Sequence, residues 1–64
     1  MSAELTPYEL RTLRSHKKVP RRESEVPERQ AAQKKLSRLG CLQFEEGVYR
    51  ITQEGIKLLD RVGR

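Results

Sequence analysis

Ten basic side chains fall between residues 11 and 38 of this 64-residue chain: Arg11, Arg14, Lys17, Lys18, Arg21, Arg22, Arg29, Lys34, Lys35 and Arg38. Only Glu23, Glu25 and Glu28 oppose them, which leaves a local net charge of +7. The first ten residues carry −2, from Glu4 and Glu9, and residues 39–64 carry four charges of each sign. Such segregation favours a polyanion-binding surface over an ordinary solvated face, because a cation that meets a phosphate releases condensed counterions. Among these cations lie Gln30, Gln33, Lys34 and Ser37. A glutamine amide presents the donor and acceptor that match an adenine edge, and lysine reaches guanine or a phosphate oxygen. These four are the candidates for facing bases. Arg11, Arg14, Lys17, Lys18, Arg21, Arg22, Arg29 and Arg38 are the candidates for phosphate contacts.

Other chemistries lack their parts. His16 is a lone histidine in a basic stretch and is expected to be exposed, and no Ser or Cys has an evident base partner. One Cys and one His fall short of the number and spacing zinc requires. No Gly-rich phosphate loop and no internal repeat occurs. Neither an enzyme nor a cofactor, metal or small-molecule substrate is expected. Cys41 is the sole cysteine, so it forms no internal disulfide, and its apolar neighbours suggest a small core residue in a reducing compartment. The start MSAELTPYEL has no basic leader and no long apolar run, so a cytoplasmic protein is expected. With 34% apolar and 36% charged residues, the chain has material for one domain, residues 1–64, around a thin core.

Three helices and a hairpin must position the cations. Thr6, Pro7 and Glu9 spell a capping box, and Leu5 and Leu10 a hydrophobic staple, so a first helix is expected from Pro7 to about His16 with Leu10 and Leu13 inward. In the connection Lys17–Val26, Val19 is the candidate strand residue. Pro20 and Pro27 bracket too short a piece for more than one or two helical turns. A middle helix opens at Pro27 and runs to about Leu39, with Ala32, Leu36 and Leu39 inward and Gln30, Lys34 and Ser37 at the centre of the opposite face. Gly40 ends it. Leu42 and Phe44, then Tyr49 and Ile51, alternate with polar residues around Gly47 as a two-stranded hairpin. Thr52 caps a last helix to about Val62, with Ile56, Leu59 and Val62 inward, Leu58 off centre, and Ile51 stapled to Ile56. Because Tyr8, Phe44 and Tyr49 occupy apolar-patterned positions, no stacking platform for single strands is expected.

The run Leu36, Leu39, Gly40, Leu42, the hairpin up to Thr52 and the Thr52-x-x-Gly55 helix start resemble the second half of winged helix-turn-helix domains. The likeness is close over residues 28–64 and loose before them. It implies a small α+β winged helix with three main helices, a two-stranded antiparallel wing and an abbreviated or missing second helix. It also implies a small regulator of transcription, of bacterial or phage type, whose middle helix enters the major groove of double-stranded DNA as a homodimer or with a protein partner. The tip Glu45-Glu46-Gly47 departs from the basic tips of wings that touch DNA, and carboxylates there would be repelled by phosphate. That departure supports an alternative, an adaptor that binds a protein. Structured RNA is a weaker third.

Overall fold

The computed structural model describes residues 5–62. Residues 1–4 and 63–64, with Glu4 and both ends of the domain expected over 1–64, lie outside the described residues. Helix α1 (Pro7–Lys18) leads to strand β1 (Arg21–Arg22), helix α2 (Pro27–Arg38), strands β2 (Leu42–Glu45) and β3 (Val48–Ile51), and helix α3 (Gln53–Val62). The strands form one antiparallel sheet in the order β1-β3-β2. This is a small α+β fold of three helices and a three-stranded sheet, where the pattern predicted two strands. The third strand, β1, pairs Arg21 with Tyr49 and Arg22 with Val48. Both of its side chains are exposed arginines, so it carries no apolar alternation by which a strand is read. Between Lys18 and Pro27 no helix forms, and the chain is extended or bent.

The helix ends follow their local chemistry. Thr6 Oγ1 accepts from the Glu9 N–H (3.1 Å) and Glu9 Oε1 accepts from the Thr6 N–H (2.9 Å), the reciprocal capping box, while Leu5 and Leu10 pack against the core. The Thr6 backbone bond holds the Glu9 carboxyl below its usual pKa. Helix α1 continues two residues beyond His16, since Lys17 and Lys18 suit the negative end of the helix dipole. It stops at Val19, whose φ of −147° and ψ of 150° are the extended geometry that a following proline imposes. Val19 is therefore the end of α1 and not a strand residue. At the end of α2, Gly40 adopts φ +85°, its N–H donates to Ser37 O (3.1 Å), and the Cys41 N–H donates to Leu36 O (2.8 Å). That pair of bonds is a Schellman closure.

The core gathers Leu13, Leu36, Cys41, Leu42, Tyr49 and Leu59, with Leu5, Leu10, Ile51 and Leu58 packed around it. Four inward assignments differ from the pattern. Leu39 is 40% exposed and Gln33 is buried in its place on α2. Phe44 is 50% exposed and rests on Tyr49, with ring centroids 4.8 Å apart. On α3 the inward face is Gly55, Leu58 and Leu59, while Ile56 and Val62 are exposed. At the start of α3, beside the pair Ile51 and Ile56, the backbone makes a close approach at Gly55. There a Cβ would lie 2.5 Å from the Cys41 carbonyl oxygen and 2.9 Å from Ile51 Cγ1. Thr52 completes the junction: its N–H donates to Cys41 O (2.9 Å), its hydroxyl donates to Gly40 O, and it accepts from the Gly55 N–H (3.1 Å). Among the described residues no helix is long and apolar enough to cross a membrane.

Gly55→Ala therefore sets helix propensity, which favours alanine by about 1 kcal/mol, against a backbone clash. Overpacking of this kind costs about 1–3 kcal/mol, and the clash is expected to prevail. Urea unfolding checks this: the midpoint falls with an unchanged slope. A midpoint equal to or above the parent's would show that the α2–α3 junction yields freely.

Candidate nucleic-acid interface

The last two turns of α1, strand β1 and the first half of α2 meet around two buried polar side chains. His16 is 2% exposed and Gln33 is 1% exposed. His16 Nδ1 faces the Thr12 carbonyl oxygen at 2.7 Å, and a carbonyl only accepts, so Nδ1 carries the proton. Nε2 is then the acceptor, and it takes a hydrogen bond from Gln33 Nε2 at 3.1 Å. Gln33 Nε2 also donates to Arg22 O (3.0 Å), and Gln33 Oε1 accepts from the Ser24 N–H (2.7 Å). Thr12 Oγ1 donates to Tyr8 O (2.9 Å), and Ser15 Oγ to Thr12 O (2.6 Å). No buried side-chain polar atom among the described residues lacks a partner. The Tyr49 ring stands edge-on to His16, at 6.4 Å between centroids. Burial pushes the Tyr49 hydroxyl pKa up, as does Glu23.

The expectation of an exposed His16 is thus corrected. The basic stretch around it has a helical period, and His16 lies on the same face as Thr12 and Leu13. Gln33 is likewise withdrawn from the base-facing set, since its amide is fully engaged inside the protein. Its inward turn rotates α2 by roughly 60° relative to the expected placement. The outward face centres on Ala31, Lys34 and Arg38, with Gln30 and Ser37 half-buried on one flank. Gln30 donates to the Glu23 carboxylate, and of the four base-facing candidates only Lys34 is exposed. Ala31 belongs to this exposed face. Its signal was a helical wheel drawn with Gln33 inward, and an amide in the apolar quadrant gave no cue for that.

The cations divide into groups. Arg21 Nε donates to Ser15 O (3.0 Å), which draws β1 against the end of α1. Arg21 and Arg29 both lie near enough to His16 to disfavour its charged form. Arg21, Arg22 and half-buried Arg29 thus surround the His16–Gln33 pair, and Lys34 and Arg38 continue along α2. Arg11, Arg14 and Lys18 form a separate row on the side of α1 turned away from buried Thr12, Leu13 and His16. Lys17 is exposed at the same helix end. Lys35 is committed to Glu9 at 3.2 Å. At the end of the sheet where Arg22 pairs with Val48, Glu46 (φ 52°) and Gly47 (φ 82°) form a two-residue hairpin turn closed by Glu45 and Val48.

Compared with protein-family models, curated proteins and solved structures, the chain matches none. What it does must follow from its own surface.

The His16 environment makes a direct prediction. Burial lowers its pKa below the usual 6.5, Arg21 and Arg29 add to that, and the Thr12 bond only partly opposes them. The unfolded chain therefore takes up a proton before the folded chain does. Stability should be constant above about pH 6.5 and fall as pH drops through the window between the unfolded and folded pKa values. A proton NMR titration of the His16 ring, with unfolding curves from about pH 8 to 5, checks both parts. A midpoint at or above 6.5 would contradict the buried neutral tautomer.

Proposed function

We propose that the chain is a winged-helix-like domain that binds double-stranded DNA, with α2 in the major groove and β1 on the flanking backbone. One observation carries this reading: the +7 segment supplies both the exposed row on α2, Lys34 and Arg38, and the arginines of β1 and Arg29 beside it. Ala31, one turn before Lys34 on the outward face, is small enough for the helix to approach base edges closely. The hairpin takes no part, because Glu45 and Glu46 at its tip would face phosphate with like charge. The positions that read sequence are then the half-buried Gln30 and Ser37, while Lys34 joins the four arginines Arg21, Arg22, Arg29 and Arg38 on phosphate and helps set the register. The biological setting that follows is transcriptional regulation in the cytoplasm, with a second copy supplying the second half-site.

Fluorescence anisotropy with a labelled duplex tests the reading. Five phosphate contacts give a slope of about −4.5 in log K against log salt, a loss of roughly 500-fold between 50 and 200 mM. Lys34→Ala should reduce affinity on every duplex and flatten the slope by about 0.9, whereas Gln30→Ala should weaken binding only on the sequences it reads. No binding at low salt would sink the DNA reading. The second reading would then stand, an adaptor for a protein partner. The half-exposed Phe44 beside the acidic tip favours it, since such a pair suits a protein surface better than a nucleic-acid backbone.

A further inference from the structure

Strand β1 is two residues long, and one edge of it is held by β3. A pair of residues gives few ladder bonds, and this pair carries adjacent positive charges close to Lys18 and Arg29, so it has little cohesion of its own. Its other edge is occupied by one side chain. The Gln33 amide donates to the carbonyl of Arg22 and accepts from the N–H of Ser24. Those are the two bonds that a single residue of a neighbouring parallel strand would make, one to the C=O of residue i and one to the N–H of residue i+2. The same amide is fixed in orientation by His16, whose own orientation is fixed by the Thr12 carbonyl. A chain of hydrogen bonds thus runs from α1 through α2 into β1 and is buried at its centre.

We propose that Gln33 is a positioning residue for a phosphate-contacting ribbon: by standing in for a strand on the open edge of β1, it holds Arg21 and Arg22 where the helix between α1 and α2 is missing. The inference rests on the DNA reading and adds to it the device that orients the protein on the duplex. In a strand, successive side chains take opposite faces, so Arg21 stays on the face of Tyr49, toward the helices, and Arg22 takes the face of Val48. One arginine on each side of a narrow ribbon can grip the backbone beside the groove that α2 enters. Gln33 itself meets no DNA.

The test compares wild type, Gln33→Met and the double variant Arg21→Gln/Arg22→Gln, with Gln33→Met also placed on the double variant. Methionine keeps the length and apolar stem of glutamine and removes all three amide bonds. Two readouts are needed: the salt slope of duplex binding, and hydrogen exchange at the Ser24 amide, which Gln33 Oε1 protects. In Gln33→Met the Ser24 amide should exchange fast, and the slope should flatten by about 0.9 to 1.8. Affinity at about 0.1 M salt should fall roughly eightfold for each phosphate that the ribbon no longer reaches. On the double variant, Gln33→Met should flatten the slope no further, because the two arginines it positions are already absent. A folded Gln33→Met with the parental slope, or losses that add in the combined variant, would overturn the proposal. Should Gln33→Met fail to fold, Gln33→Leu carries the same cycle with the same two readouts, since it also removes all three amide bonds and adds no charge. A wild-type protein that shows no salt-dependent binding would instead overturn the DNA reading, and this inference with it.

Discussion

The side-chain amide of Gln33 bonds at once to the first helix, the short strand and the segment that leads into its own helix. Much of the arrangement depends on those bonds. A buried amide left unpaired costs about 1–3 kcal/mol, so Gln33 is tolerable inside only while His16, Arg22 and Ser24 all keep their places. The reverse also holds, since each of these groups needs the amide. In a domain whose core is six buried residues and a few half-buried neighbours, this polar cluster specifies geometry that apolar contacts alone leave loose. It sets the rotation of α2, the register of β1 and the tautomer of His16 together.

Much of the backbone was legible in the sequence because its signals are local. The capping box at Thr6, the Gly40 closure and the turn at Gly47 each involve residues within a few positions of one another, and each appears where those residues place it. The long-range features were not legible. A strand made of two arginines has no hydrophobic alternation, and its existence depends on Val48 and Tyr49 more than 25 positions away. Gln33 and His16 are polar residues whose burial depends on meeting each other, 17 positions apart. Because periodicity assigns inward faces by apolarity, it chose Leu39 over Gln33. The face of α2 was consequently drawn one flank away from the one that is exposed, and the candidate site moved from Gln30, Gln33 and Ser37 toward Ala31, Lys34 and Arg38.

Glycine carries two different burdens here. Gly40 has φ +85° and open space around its α-carbon, so its need is conformational. Gly55 has an ordinary helical backbone and no room, because the Cys41 carbonyl and Ile51 sit where a side chain would begin. Between them these glycines and Thr52 bring the end of α2 and the start of α3 to the same point. The orientation of the basic helix is thereby tied to the helix that closes the core. The hairpin lies between these two points in sequence but outside the junction in space, and its acidic tip comes beside the basic strand, because Val48 pairs with Glu45 on one side and Arg22 on the other.

The charge distribution has an energetic consequence for the isolated protein. Arg21 and Arg29 each act on a neutral histidine, and the tether that Lys35 has in Glu9 neutralises only one of the ten cations. Clustered like charge destabilises the compact state by self-repulsion. A domain with so thin a core has little stability in reserve. A bound polyanion reverses that sign: each phosphate that approaches Arg21, Arg22 or Arg29 relieves repulsion within the protein as well as releasing its own counterions. Under the DNA reading, ligand affinity and fold stability therefore draw on the same electrostatic energy, and binding stabilises the native state by mass action. The repulsion also explains why the centre of the cluster is a fully satisfied neutral network. A third cation at His16 would oppose the two arginines and remove the acceptor that orients Gln33, so the surface stays ordered only while that ring stays neutral.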